Sequence, residues 1–229
     1  MLLAVDTSTT QVGLALYNED EVIAEMMWSS KQHHTTQLAS ALSDLMKRCD
    51  ASMDKIQALG VAIGPGSFTS LRVGLSLVKG IAFARNIPVI GIPTLDVIAS
   101  AQPLDKKPLI SVLQAGRTRL AFSVYQSDKK QWQADGAALS ESKGQIRSGT
   151  VDELLSQIEE STLVAGELTS EQRKKISKHK KVLLASPANC IKRPAVLAEL
   201  AWNRFQNNDV DDVATLAPIY LHVAGTPIS

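Results

Sequence analysis

Two stretches carry residue types and spacings that could do chemistry. Asp6 is followed at once by Thr7, Ser8, Thr9 and Thr10, and the run Gly64-Pro65-Gly66-Ser67-Phe68-Thr69-Ser70-Leu71-Arg72-Val73-Gly74 follows an apolar strand-like segment, Leu59–Ile63. Asp6 closes a short apolar run, and ligands bind at the carboxyl ends of strands in open α/β sheets. A carboxylate there can hold Mg²⁺ through water while neighbouring hydroxyls and turn amides hold phosphates. The same groups can instead satisfy the amides of their own turn. In the second run Gly64 and Gly66 admit backbone conformations closed to other residues, Pro65 fixes one dihedral between them, and Ser67 or Thr69 can cap the helix that follows. Exposed amides at a helix start favour an anion. Phosphate contact through Asp6, Thr7, Ser8, Gly64, Gly66 and Ser67 is therefore one reading, and a turn that only starts a helix is the other. The run lacks the Lys-Ser/Thr ending of a P-loop and the spacing of a dinucleotide fingerprint.

Other reactive types do not assemble. His33 and His34 are adjacent, so on a helix they point apart, and Gln37 and Leu38 stand where a second metal-binding His would be needed. His179 and His222 have no carboxylate or cysteine near them in sequence. Gly66-Ser67 is followed by Phe68 and Thr69, which is not a nucleophile elbow. Lys174, Lys175, Lys178, Lys180 and Lys181 form a basic run that reads as a solvated helix end, with RNA phosphate contact as the alternative. No metal and no cofactor are expected.

The totals exclude whole classes. Lys+Arg 24 against Asp+Glu 23 leaves no overall field to draw nucleic acid or an anionic membrane. Cys49 and Cys190 are too far apart for a C-x-x-C motif and read as buried thiols of a reducing compartment. An acid at position 6 comes too soon for a signal peptide, and no apolar run approaches a membrane span. A cytoplasmic protein without membrane or DNA contact is expected.

The positioning elements follow from hydrophobic pattern. Leu2–Val5, Val12–Tyr17 and Val22–Trp28 read as a strand meander, Thr35–Arg48 as a helix, Leu59–Ile63 as a strand, Leu71–Arg85 as a helix, Ile87–Ile92 as a strand, and the residues after Thr94 as a short helix. Gln102–Pro108 is polar and proline-rich, which marks a boundary between a first domain, 1–102, and a second, 103–229. Beyond it come strands at Leu109–Leu113, Leu120–Tyr125 and near Gln131–Ala138, a helix at Val151–Glu159, then strand, helix and strand at Thr162–Ala165, Ser170–Lys178 and Val182–Ala185, and a last helix at Pro194–Phe205. The order of the first half recurs in the second, predicting an α/β chain with two mixed sheets flanked by helices.

The helix after the glycine turn is apolar around most of its circumference, with only Arg72, Ser76, Lys79 and Asn86 forming a polar stripe. Gly74 and Gly80 each cost about 1 kcal/mol relative to Ala, which suits positions where another helix backbone comes close. Packing against its own sheet on one side and a second helix, in this chain or another, on the other is the expectation.

Asp6-Thr7-Ser8-Thr9, Gly64-Pro65-Gly66-Ser67-Phe68-Thr69 with Leu71-Arg72-Val73-Gly74, and Gly91-Ile92-Pro93-Thr94-Leu95 together resemble the TsaB (YeaZ-like) family of bacterial tRNA threonylcarbamoyladenosine biosynthesis proteins, over about the first hundred residues. That resemblance implies the duplicated actin-like ATPase-type (ASKHA, ribonuclease H-like) fold, with the dimerisation helices in the first domain and a more divergent second domain. It implies a non-catalytic paralogue of TsaD that pairs with TsaD, the protein transferring threonylcarbamoyl to N6 of adenosine 37 in tRNAs reading ANN codons. The ATPase TsaE joins that assembly, tRNA is met only indirectly, and a homodimer replaces the heterodimer when the partner is absent. Within the two helices of the implied dimer surface we place the contacts on Leu38, Leu42, Leu45, Leu75, Val78 and Ala82, so that Ala82→Arg is expected to abolish pairing while leaving the monomer folded. Two departures stand out: Ser70 replaces a frequent family glycine, and Gln114-Ala115-Gly116-Arg117 stands where many members carry Asp-Ala-Arg. The alternative is an enzyme acting alone, either a nucleotide hydrolase using Asp6 or the peptidase that similar sequences were once supposed to be.

Overall fold

The computed structural model describes residues 1–30, 34–116, 118–128, 130–134 and 146–221, with backbone alone at 34 and 35. The described residues divide into two compact units, one within 1–97 and 192–218 and the other within 98–191 with 219–221.

The first unit is built on a five-stranded sheet. Its strands are β1 (Leu2–Asp6), β2 (Gln11–Tyr17), β3 (Val22–Ser29), β4 (Ala58–Ala62) and β5 (Val89–Ile92), in the spatial order β3-β2-β1-β4-β5. The β1–β2 and β2–β3 pairs are antiparallel, while β4 runs parallel to both β1 and β5. Helices α1 (His34–Arg48) and α2 (Phe68–Arg85) pack on each other, and α2 lies on β1, β4 and β5. Both faces of the central strands are covered, so β1 and β4 are buried throughout and apolar but for Asp6 at the end of β1. Successive side chains alternate between the faces. Leu2, Ala4, Ala58 and Ala62 accordingly meet Leu197, Ala198, Ala201 and Trp202 of the last helix, α6 (Pro194–Gln206).

That contact corrects the expected boundary. The sequence division at 102 puts 194–206 in the second domain, whereas α6 crosses β1, β2, β4 and β5 of the first sheet. The approach is close, because a Cβ on Gly60 would come within 2.8 Å of Ala201 and one on Gly13 within 2.9 Å of the Pro194 ring. Local periodicity identifies a helix but not the sheet it covers.

Short helix α3 (Thr94–Ser100) leads on to the second unit. Its sheet contains β6 (Leu109–Gln114), β7 (Leu120–Ser127), β8 (Trp132–Ala134), β9 (Arg147–Gly149), β10 (Thr162–Gly166) and β11 (Val182–Leu184). The order β11-β10-β6-β7-β8 repeats that of the first sheet, with β9 added beside β7. Helices α4 (Val151–Leu155) and α5 (Ser170–Ile176) cover a core of Ile110, Val112, Leu120, Phe122, Val164 and Ile176. Both helices start with a capping box, Thr150 with Glu153 and Thr169 with Gln172. The fold is the duplicated α/β arrangement of two mixed sheets flanked by helices that the element order predicted. Strand β9 is an addition to the expected elements, since three residues of mixed polarity give no period. Part of the segment expected as a strand, 135–138, lies outside the described residues.

Candidate functional site

The turn after β1 and the glycine turn are brought together. Ser67 N–H donates to the Ser8 carbonyl at 2.7 Å, and Thr7 Oγ1 donates to the Ser70 carbonyl at 2.6 Å. The glycines make this approach feasible: a Cβ on Gly66 would lie 2.1 Å from Ser8 O, and one on Gly74 would lie 2.3 Å from Thr7 Oγ1. Gly74 therefore receives a hairpin turn rather than the helix backbone the sequence reading expected. Gly64 has φ of +104° and exchanges hydrogen bonds with Thr94, donating to its Oγ1 at 3.2 Å and accepting from its N–H at 2.7 Å. Ser67 is the N-cap of α2, as one of the two expected candidates, and accepts from Ser70 N–H.

Asp6 is the last residue of β1 and is buried to 1% exposure. Its Oδ1 accepts the Ser8 N–H at 2.8 Å and the Ser8 hydroxyl at 2.6 Å. A residue that sequence reasoning missed completes the group. Lys192, also 1% exposed, places Nζ 3.3 Å and 3.5 Å from the two Asp6 carboxylate oxygens, 3.0 Å from Ser8 Oγ and 3.4 Å from the Gln11 carbonyl. It lies 186 positions from Asp6 and just before α6. Next to it Arg193 pairs with Glu25, which raises the guanidinium pKa above its ordinary value through a hydrogen bond. A Lys-Arg-Pro sequence at a helix start reads as solvent-facing charge, and nothing local marks the first of the three as interior.

In the second unit Gln114 ends β6 as Asp6 ends β1. Its amide donates to Gln172 Oε1 at 2.5 Å and to the Glu167 carbonyl at 3.3 Å. The polar group closing the first strand is thus held within its own unit in both halves.

The remaining reactive types stay apart. No three His, Cys, Asp or Glu side chains come together as metal ligands among the described residues. His33 and His222 lie outside the described residues, as does the His34 side chain. In the basic run Lys175 pairs with Asp152 at 2.7 Å and Lys181 donates to the Glu159 carbonyl. Among the described residues no helix is long and apolar enough to cross a membrane.

The placement of partner contacts needs correction. Leu38, Leu42, Leu45, Leu75, Val78 and Ala82 are all buried inside this chain, at 8% exposure or less. At that burial they offer a partner little surface of their own, although Leu38 reaches one wall of a groove beside α2. The outward side of α2 carries exposed Phe68, Arg72, Ser76, Gly80 and Phe83, with Val73, Leu77 and Ile81 half-buried. Phe68 and Phe83 are 52% and 67% exposed, and the Arg72 guanidinium lies 3.8 Å from the centre of the Phe68 ring. A groove of about 580 Å³ runs beside them, lined by Leu38, Ala39, Phe68, Arg72, Val73 and Leu77. A Cβ on Gly80 would meet nothing within 4 Å. Among the described residues nothing gives a reason for a glycine there.

The architecture and these two features can be set beside known proteins. The solved structure of a Pseudomonas aeruginosa protein described as similar to peptidase YEAZ superposes with a TM-score of 0.77 at 18% identity, covering 96% of this chain and 99% of that one, which shows the shared fold. The tRNA threonylcarbamoyladenosine biosynthesis protein TsaB of Bacillus subtilis is 36% identical over 99 residues, 43% of each chain. That of Escherichia coli is 28% identical over 130 residues, 56% of each chain. In these alignments the chain spans about half the length of the curated relatives it matches. The family model described as TsaD, tRNA N6-adenosine threonylcarbamoyltransferase, matches residues 21–215. The chain therefore belongs to the TsaD family and is a TsaB/YeaZ-like member of it.

Proposed function

We propose that the chain is a non-catalytic subunit of tRNA threonylcarbamoyladenosine biosynthesis that pairs with TsaD and supports transfer of threonylcarbamoyl to N6 of adenosine 37 in tRNAs reading ANN codons. Gly80 carries the reading: a mid-helix glycine that costs about 1 kcal/mol, with open space above it, lies on a flank where Phe83 and Phe68 stand in water. A partner helix backbone approaching at that point would account for both. The contact surface is the outward side of α2 with the adjoining groove, and the six buried residues support it from beneath. TsaE joins the assembly, the same flank closes a homodimer when TsaD is absent, and tRNA is met through the partner. The setting is the cytoplasm.

Native mass spectrometry of the chain mixed with its cognate TsaD tests the reading. A one-to-one complex is expected, lost in Leu77→Asp while that variant keeps its wild-type circular dichroism. A complex that survives with Leu77→Asp removes α2 from the interface.

A nucleotide hydrolase acting alone is the second reading, supported by the convergence of Asp6, Ser8 and the glycine turn. Incubation with ATP and Mg²⁺ separates the two: turnover that disappears in Asp6→Ala would replace the subunit reading.

A further inference from the structure

Lys192 is the least expected residue of the first unit. Lysine is almost never fully buried without a partner, and an ammonium taken out of water is costly unless oxygens replace its hydration. Those oxygens are present. Both Asp6 carboxylate oxygens, Ser8 Oγ and the Gln11 carbonyl all lie 3.0–3.5 Å from Nζ. Carboxylate, hydroxyl and backbone carbonyl converging on one point make up a hard-cation ligand set, the kind that takes Mg²⁺ or Ca²⁺ elsewhere.

Stability alone does not explain the arrangement. Well-packed apolar residues in place of a buried ion pair are often as stable or more so. Pro194 on Gly13 and the Ala198, Ala201 and Trp202 contacts already fix α6 to the sheet. A carboxylate beside a hydroxyl and a backbone carbonyl can hold a cation, and here the cation arrives on the chain itself.

We infer that the turn after β1 is a cation site whose permanent occupant is the Lys192 ammonium, so that free divalent metal and metal-bound phosphate are excluded from Asp6. Ser8 links the two charges, donating its hydroxyl to Asp6 and accepting from Lys192. A metal ion approaching Asp6 would have to expel an ammonium that cannot diffuse away. The inference stands apart from the pairing proposed above, since it concerns the interior of one unit.

Thermal unfolding of the full chain tests it. The wild-type melting temperature is expected to be the same in MgCl₂, with or without ATP, as in NaCl of matched ionic strength. Lys192→Ala is expected to melt several degrees lower and to recover part of that loss in methylammonium chloride or MgCl₂, but not in tetramethylammonium chloride, which has no N–H to donate. A wild-type rise with Mg²⁺ that vanishes in Asp6→Asn overturns the inference, as does a folded Lys192→Ala that no cation restores. Should Lys192→Ala fail to fold, Lys192→Met decides together with Asp6→Asn. The double variant is expected to melt above Lys192→Met alone, because removing the carboxylate removes the uncompensated charge. Additive losses in the two variants refute the pairing.

Discussion

Replacing Phe83 by Ala separates the outer flank of α2 from its buried side. The residue is 67% exposed. Of the roughly 150–250 Å² that a Phe can bury, about two thirds is therefore still available to a partner, some 100–170 Å². At about 25 cal/mol per Å², covering that area contributes about 3 kcal/mol, or roughly a hundredfold in Kd. The monomer should scarcely register the change, since the truncated part already stands in water. Ala82→Arg, one position away, behaves in the opposite sense. Ala82 is 2% exposed, so a guanidinium there must enter the packed layer beneath α2. An unpaired charge in such a place costs several kcal/mol out of a total of about 5–15 kcal/mol, and the first unit is expected to lose its fold rather than only its partner. Titration calorimetry of each variant into cognate TsaD, with a thermal melt as control, reads both quantities. Phe83→Ala binding TsaD as tightly as wild type, with Leu77→Asp doing the same, would refute the placement of the interface.

Gly80→Ala should stabilise the monomer by up to about 1 kcal/mol of helix propensity, seen as a higher melting temperature, while weakening pairing with TsaD, a combination that a purely structural glycine would not give. Gly66→Ala should lower it strongly, because the new methyl group meets the Ser8 backbone at 2.1 Å and neither turn can retreat without breaking the Ser67-to-Ser8 hydrogen bond; a melt unchanged from wild type would show that the turns are not locked together. In the second unit the Glu153 carboxyl is held below its ordinary pKa, chiefly by the Thr150 backbone N–H and further by the nearby Arg119 charge. A lowered folded-state value means stability that is complete above the ordinary glutamate range and is lost as pH falls through the lowered value. Melting temperatures of wild type and Glu153→Gln should thus differ at neutral pH and converge on acidification, and a difference independent of pH would refute the assignment.

The strands were legible because their apolar runs end sharply at turn residues: Leu2–Val5 stops at Asp6, and Leu59–Ile63 stops at Gly64-Pro65-Gly66. The duplication was legible for a related reason, since the order of elements repeats although the residues do not. Long-range choices were not. Apolar positions all around α2 give no asymmetry from which to infer the side that meets the sheet, and the six residues expected as partner contacts are those that the chain buries for itself. The glycines held the missing information in a form that sequence does not resolve. Gly74 and Gly80 look alike six residues apart, yet Thr7 fills the space over the first and none of the described residues fills the space over the second. Lys192 marks the same limit from the other end of the chain. Read locally it is a basic residue before a proline, whereas the fold places it against a carboxylate 186 positions earlier. Lys192, which comes just before α6, stands in the turn that residue types alone offered as a phosphate cradle, and α6 was the helix whose sheet the sequence misassigned. Both errors have one physical origin: the last helix returns to the first sheet, and local pattern does not specify which surface a distant segment will cover.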